Sequence, residues 1–291
     1  MKPSKARWSI ALLILAIFFD TIEMTAVITA LPTMGRSFPQ TVNWLAWLTT
    51  ASLLAAAVAM AVGGRIADDW GAKKTFMLGL TFSNLGSLLA GLIGYGLPKS
   101  MLLLIILRFV QGFGAGTYAP IGLKLISLVM KGGWRTQTIG VAGMVVPLAA
   151  VLGPNVGGFL VGHFPWQVIF LLNAGIGLAI MLLAGFLMEE MVTPNEKAPL
   201  DIAGIGAFSG AVLSAMLALT LARQAGSVAP LTIGLLVLAV VLAAILPRLE
   251  TRSRAPFLEP ALLTARGMGV VLGLSFLQGV TMYSVLFFLS F

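Results

Sequence analysis

The sequence predicts an all-α protein that lives in a lipid bilayer, and three observations carry that prediction. Of its 291 residues, 59% are hydrophobic and only 10% are charged, with a mean hydropathy of +1.02. Soluble domains average about 25% charged residues, so this composition cannot furnish a surface that faces water on all sides. The apolar residues also gather into nine windows of spanning length, and a helix needs about 20 residues to cross hydrocarbon. Finally, the basic residues sort to one side of those windows. Backbone amides in lipid have no water to bond, so each window must close its own hydrogen bonds as a helix.

The first span runs from Trp8 to Ala30. Its start, Met1 to Arg7 followed by apolar Ile10 to Phe19, imitates a secretory signal. The apolar stretch continues past Asp20 and Glu23, however, and no small-x-small cleavage site follows it. It reads as an uncleaved helix. The second span covers Trp44 to Val62 and gives way to a polar loop, Gly64 to Lys74. Then come Thr75 to Tyr95, Met101 to Val129, Thr138 to Val161 and Trp166 to Met188, joined by short connections. A longer polar stretch, Glu189 to Asp201, precedes spans over Ile202 to Leu221 and Pro230 to Leu246. After a loop from Pro247 to Gly267, the ninth span begins at Met268 and stops at Phe291 without a polar flank, as expected of a fragment of a longer protein. Trp8, Trp44, Trp47 and Trp166 lie near span ends, where interfacial anchors belong.

Orientation follows from lysine and arginine. With the N-terminus in the cytoplasm, 14 of the 18 basic residues fall on the cytoplasmic side and Arg36, Lys99 and Arg223 on the other; Arg108 alone lies inside a span. That asymmetry is a topology signal, so the formal net charge of +8 does not point to nucleic acid. The chain has no cysteine, which excludes disulfides and thiol chemistry, and its one histidine, His163, reads as a surface residue in an external turn. No nucleophile–base or metal constellation is present in the sequence, so neither an enzyme nor a bound cofactor or metal is expected.

Asp20, Glu23 and Arg108 are the charges left in hydrocarbon. Each costs roughly 2.5–3.5 kcal/mol on insertion scales, and intramembrane ionisable groups mark functional sites by default. Asp20 and Glu23, three residues apart, share a helix face. Glu23 and Arg108 each lie about 10 Å below the outer end of their helix at 1.5 Å per residue, so they can meet if the first and fourth helices are neighbours. Two nearby carboxylates resist double ionisation, which suits proton coupling; a structural ion pair is the plainer reading. Gln111, Tyr118 and Asn84 are candidates for a substrate cavity. Asn84, Tyr118, Asn155 and Asn173 equally suit helix–helix glue. Helix two closes with Val62-Gly63-Gly64 and helix five with Val156-Gly157-Gly158, a weak sign of an inverted repeat.

Four segments, and a fifth at the start of helix six, resemble the major facilitator superfamily, and within it the fourteen-helix drug:proton antiporter branch. Gly64-Arg65-Ile66-Ala67-Asp68-Asp69-Trp70-Gly71-Ala72-Lys73-Lys74 is similar to the family's gating loop G-x-L-A-D-R-x-G-R-K, departing at Asp69 and Ala72. Arg108-Phe109-Val110-Gln111-Gly112-Phe113-Gly114-Ala115 matches R-x-x-Q-G-x-G-A, which implies a part for Arg108 in proton coupling. Gly153-Pro154-Asn155-Val156-Gly157-Gly158 resembles the helix-five motif of exporters. Glu23-Met24-Thr25 through Leu31-Pro32 is similar to L-D-x-T-I-V-N-V-A-L-P, with Glu23 for the aspartate and Asp20 as an extra acid. Trp166-Gln167-Val168-Ile169-Phe170 through Asn173 looks like the branch's opening of helix six.

The resemblance implies a major facilitator-type bundle: residues 1–190 the N-terminal six-helix half, 191–266 a linker with two extra helices, and 267–291 the first helix of an incomplete second half. It implies a multi-pass transporter of the bacterial inner membrane, monomeric when full length, that trades protons for a small-molecule substrate.

Overall fold

The computed structural model describes residues 3–38, 44–130, 132–190, 201–225, 229–253 and 265–289. Among these lie nine helices: α1 Pro3–Ser37, α2 Leu45–Trp70, α3 Ala72–Gly91, α4 Met101–Val129, α5 Gly133–His163, α6 Gln167–Leu187, α7 Ile202–Ala225, α8 Pro230–Arg252 and α9 Met268–Leu289. By length and composition, α1, α4, α5, α6, α7 and α8 are each long and apolar enough to cross a membrane. The segments Leu45–Met60 and Val62–Trp70 of α2, bent by 44°, make a seventh if they form one span. The nine expected windows thus become nine helices. Lys73, Lys74, Ser83, Asn84 and Ser87 dilute α3 below that standard.

The chain forms two compact units, Met1–Pro194 and Asn195–Phe291. In the second, α7 packs on α8. In the first, α4 is central: α2 and α3 pack on it, α1 packs on α5 and α6, and α3 packs on α6. Lipid is as apolar as leucine, so these helices are held by close packing and hydrogen bonds rather than by escape from water. Small residues supply the close packing. A Cβ at Gly112 would lie 2.7 Å from Ser52 Cα, and one at Gly116 2.7 Å from Ala56 Cα, with the carbonyl oxygens closer still, so α2 and α4 touch main chain to main chain. Gly157 does the same for α5, where a Cβ would lie 2.7 Å from Ala26 Cα of α1.

Two apolar clusters fill the first unit. One gathers Leu13, Phe76, Tyr118, Ile126 and Ala184; the other gathers Val27, Met34, Leu48, Ile93, Leu104 and Phe170. On α1, α3, α4 and α6 alike, the stretch between those two sets carries polar side chains among its apolar ones. Asp20 and Glu23, Ser83 and Ser87, Arg108 and Gln111, and Asn173 form a layer between the clusters.

Three expectations need correcting. The polar stretch from Gly64 is not a loop: α2 continues through Trp70, and α3 starts at Ala72 after the single residue Gly71, whose φ is 100°. Charged side chains end a hydropathy window without ending a helix's hydrogen bonds, and only Gly71 adopts a backbone that side chains avoid. His163 sits in the last turn of α5, its Nδ1 2.9 Å from Phe159 O, rather than in a turn beyond it. Trp166 is buried, edge-on to Phe170 and tilted against Phe38, with its Nε1–H donating to Ser37. Trp8 and Trp44 are exposed as anchors should be. Lys197 and Arg254 lie outside the described residues.

Candidate functional site

Helical spacing puts Asp20 and Glu23 on one face of α1, and the packing turns that face toward α3, α4 and α6. Glu23 is 4% exposed and Arg108 1%. Arg108 Nη1 donates to Glu23 Oε1 at 2.7 Å and to Gln111 Oε1 at 2.6 Å. Its Nε donates to the Leu48 carbonyl of α2 at 3.1 Å, and the guanidinium lies 5.7 Å from the Phe170 ring centroid. The ion pair is therefore single-pronged: Nε and Nη1 otherwise bond to neutral groups, and Nη2 bonds to none. Gln111 Nε2 donates to Glu23 Oε2 and to Ser87 Oγ at 2.8 Å.

Asp20 has no arginine of its own. Its Oδ1 accepts from Ser83 Oγ at 3.3 Å and from Asn173 Nδ2 at 3.2 Å. Asn173 Nδ2 also lies 2.8 Å from Glu23 Oε2. The two carboxylates and the arginine are thus one hydrogen-bonded cluster, drawn from four helices and buried in mid-bundle. Such a cluster can pass a proton or exchange partners without first meeting bulk water.

A cavity of about 150 Å³ opens beside this cluster, lined by Asp20, Glu23, Met24, Arg108, Gln111 and Tyr118 among others. Asp20 Oδ2, Arg108 Nη2 and the Tyr118 hydroxyl are buried without hydrogen-bond partners. Two of the three residues expected at a substrate cavity, Gln111 and Tyr118, line this one. Asn84 does not; its amide packs against Gly177 of α6, which is the helix–helix role. Asn155 is exposed on α5 and donates to its own helix at Val151 O.

The segment Gly64 to Lys74 divides into two sets of contacts. Arg65 lies 3.8 Å from Asp69 within α2, and Asp68 pairs with Lys124 of α4. Asp68 therefore ties α2 to α4. Gly71 makes the turn. Close approach to α4 falls at Gly63, where a Cβ would lie 2.8 Å from Thr117 Cα, whereas one at Gly64 would meet only Pro120 at 4.0 Å. Lys73 Nζ donates to Gly185 O at 2.8 Å and Met188 O at 2.7 Å, the open carbonyls at the end of α6. Glu190 returns the contact: its carboxylate accepts from the Lys73 and Lys74 amides at 3.0 and 3.2 Å, at the start of α3. A cation thus closes one helix's negative end and an anion the other's positive end. In the helix-five segment, Gly153 and Gly157 pack on Thr25 and Ala26 of α1, while Gly158 faces open space. Pro154 sits within α5.

Sequence reasoning missed Ser83, Ser87 and Glu190 and placed Asn173 with the structural polars. The serines stand one helical turn apart on α3, a signal that was available. Glu190 had no local signal.

Residues 13–291 match the family described as Major Facilitator Superfamily. The chain belongs to the Major Facilitator Superfamily. Among the superfamily's members, the multidrug transporter protein MdtP of Bacillus subtilis (strain 168) is 29% identical over 293 residues, covering 100% of this chain and 52% of that protein. The tetracenomycin C resistance and export protein of Streptomyces glaucescens is 26% identical over 270 residues, covering 93% of this chain and 49% of that protein. The crystal structure of a D-xylose–proton symporter is similar in fold, with a TM-score of 0.54 at 13% identity over 82% of this chain and 66% of that one. The chain spans about half the length of the curated relatives it matches.

Proposed function

We propose that this chain carries the proton-coupling half of a secondary transporter that exports small amphipathic, cationic compounds in exchange for protons, in the manner of the fourteen-helix drug:proton antiporters. The observation that carries the reading is the buried cluster in which Arg108 holds Glu23 by one prong, with Asp20 joined through Asn173. A proton arriving on Glu23 cancels the charge that holds Arg108 Nη1, and the arginine then rests on Leu48 and Gln111. Loss of that proton restores the pair. Such a swap links proton movement to helix positions, which is what alternating access requires.

In this reading the N-terminus is cytoplasmic and the cavity between helices takes one side of the substrate. At about 150 Å³ it is smaller than the roughly 300–1,000 Å³ of drug-sized sites; the remaining wall comes from the rest of a protein as long as its relatives. Residues 1–190 form the first half-bundle, α7 and α8 the linker helices, and α9 opens the second half. The MdtP relationship supports multidrug export. The tetracenomycin C exporter favours a second reading, export of a single metabolite by the cell that makes it.

The test is proton-driven efflux by the whole protein in inverted membrane vesicles. Glu23→Gln abolishes coupling, while Leu182→Ile, at an exposed leucine of α6, leaves it intact. Full coupling in both Glu23→Gln and Asp20→Asn would overturn the proposal.

A further inference from the structure

Asn173 does more in this cluster than fasten α6 to α1. Its Nδ2 lies 3.2 Å from Asp20 Oδ1, 2.8 Å from Glu23 Oε2 and 3.3 Å from Ser87 Oγ. An amide nitrogen has two hydrogens and no lone pair to offer. Ser87 already accepts from Gln111 and donates toward Glu23 Oε2 at 3.4 Å. Three oxygens thus share two Asn173 hydrogens, and the charged carboxylates draw them more strongly than the hydroxyl. Oxygens that share one nitrogen in this way lie within about 6 Å of each other, a separation at which two negative charges repel strongly in a low dielectric.

Little else offsets that repulsion. Among the described residues, Arg108 from α4 is the cation that reaches the pair, and its bond goes to Glu23. From α3 come the hydroxyls of Ser83 and Ser87, and from α2 the carbonyl of Leu48 acting through Arg108. The other charged side chains of α2, α3, α4 and α5 lie within two turns of helix ends, and α6 has none.

We propose that Asn173 is a positioning residue that lets Asp20 and Glu23 be ionised together, and so sets the pH range over which the pair gives up its protons. The inference rests on the reading of these acids as proton carriers. Hydrogen bonds to a carboxylate favour its charged form. Removing both at once favours the neutral form, and the pair then keeps a proton to higher pH. A purely structural asparagine would change stability and leave that pH range alone.

A hydrophobic carbodiimide such as dicyclohexylcarbodiimide reacts with protonated carboxyls in apolar surroundings. Its labelling of the peptide that holds Asp20 and Glu23, followed against pH in the whole protein by mass spectrometry, reads protonation without requiring transport. In Asn173→Leu the labelling midpoint moves to higher pH by about one unit or more. Asn173→Gln, which keeps both N–H groups, stays near the wild type. If the leucine variant does not accumulate, Asn173→Ala is read in its place. An unmoved midpoint in the variant that lacks the amide overturns the inference, whatever its melting temperature. Efflux in the same membranes separates the two readings. A shifted midpoint without proton-driven efflux in the wild type removes the transport reading and keeps this one; proton-driven efflux with an unmoved midpoint removes this one alone.

Discussion

Replacing Glu23 with glutamine strands Arg108, and the cost can be worked from what the arginine keeps. It is 1% exposed, so bulk water does little to replace the lost carboxylate. It retains the Leu48 carbonyl at 3.1 Å, the Gln111 oxygen at 2.6 Å and the Phe170 ring at 5.7 Å, all of them neutral. Removing one partner of a buried ion pair costs about 3–5 kcal/mol. The amide oxygen of the new glutamine recovers one ordinary hydrogen bond, about 1 kcal/mol. A loss of about 2–4 kcal/mol remains, and in a unit of this size each kcal/mol moves Tm by about 2–4 °C. Glu23→Gln is therefore expected to melt about 5–15 °C below the wild type in detergent. Adding Arg108→Met removes the stranded charge and recovers much of the loss, because an absent pair costs less than a broken one. The thermodynamic cycle of the two single variants and the double variant then shows a coupling of about 2 kcal/mol or more. Strict additivity, or a double variant that melts below both singles, would show that Glu23 does not hold Arg108.

Two further predictions concern packing and capping. Gly116→Leu presses a side chain into the Ala56 backbone of α2 and should cost about 1–3 kcal/mol or more, whereas Gly158→Leu, which enters open space, should stay within about 0.5 kcal/mol; equal melting temperatures for the two would contradict the α2–α4 crossing. Glu190→Ala uncovers the amides at the start of α3, so hydrogen exchange at Lys73 and Lys74 should quicken about fivefold for a cap of about 1 kcal/mol, and unchanged exchange would dismiss the cap.

The number of helices and the height of the charges were legible in the sequence, because both follow from counting along the chain. Glu23 and Arg108 meet, as counting from the span ends had them do, although α1 runs past the expected end at Ala30 to Ser37. Rotation about each helix axis was not legible in the same way. Asn173 and Asn84 look alike in a hydropathy window, yet one faces the acids of α1 and the other is wedged against Gly177. The gating motif aligned Gly64 with the family's glycine, while the azimuth of α2 gives the close contact to its neighbour Gly63. Lys73 and Glu190 stand 117 residues apart in sequence, so only the packing of α3 on α6 could join them.

What fixes those rotations is the small-residue packing around α4. Gly112 and Gly116 admit the α2 backbone on one side, and Gly114 lies close to Gly79 and Ser83 of α3 on another. A helix gripped by two neighbours at residues without side chains has little freedom to roll, since any other residue there would meet main chain. One residue of slippage turns a helix by about 100°, enough to swing Arg108 away from Glu23. An arginine unpaired in an apolar layer costs several kcal/mol, so the glycine contacts and the ion pair enforce the same register. The charged cluster is then not an insertion into a finished bundle. The glycines choose the rotation of α4, that rotation delivers Arg108 and Gln111 to the acids of α1, and the acids in turn penalise every other rotation.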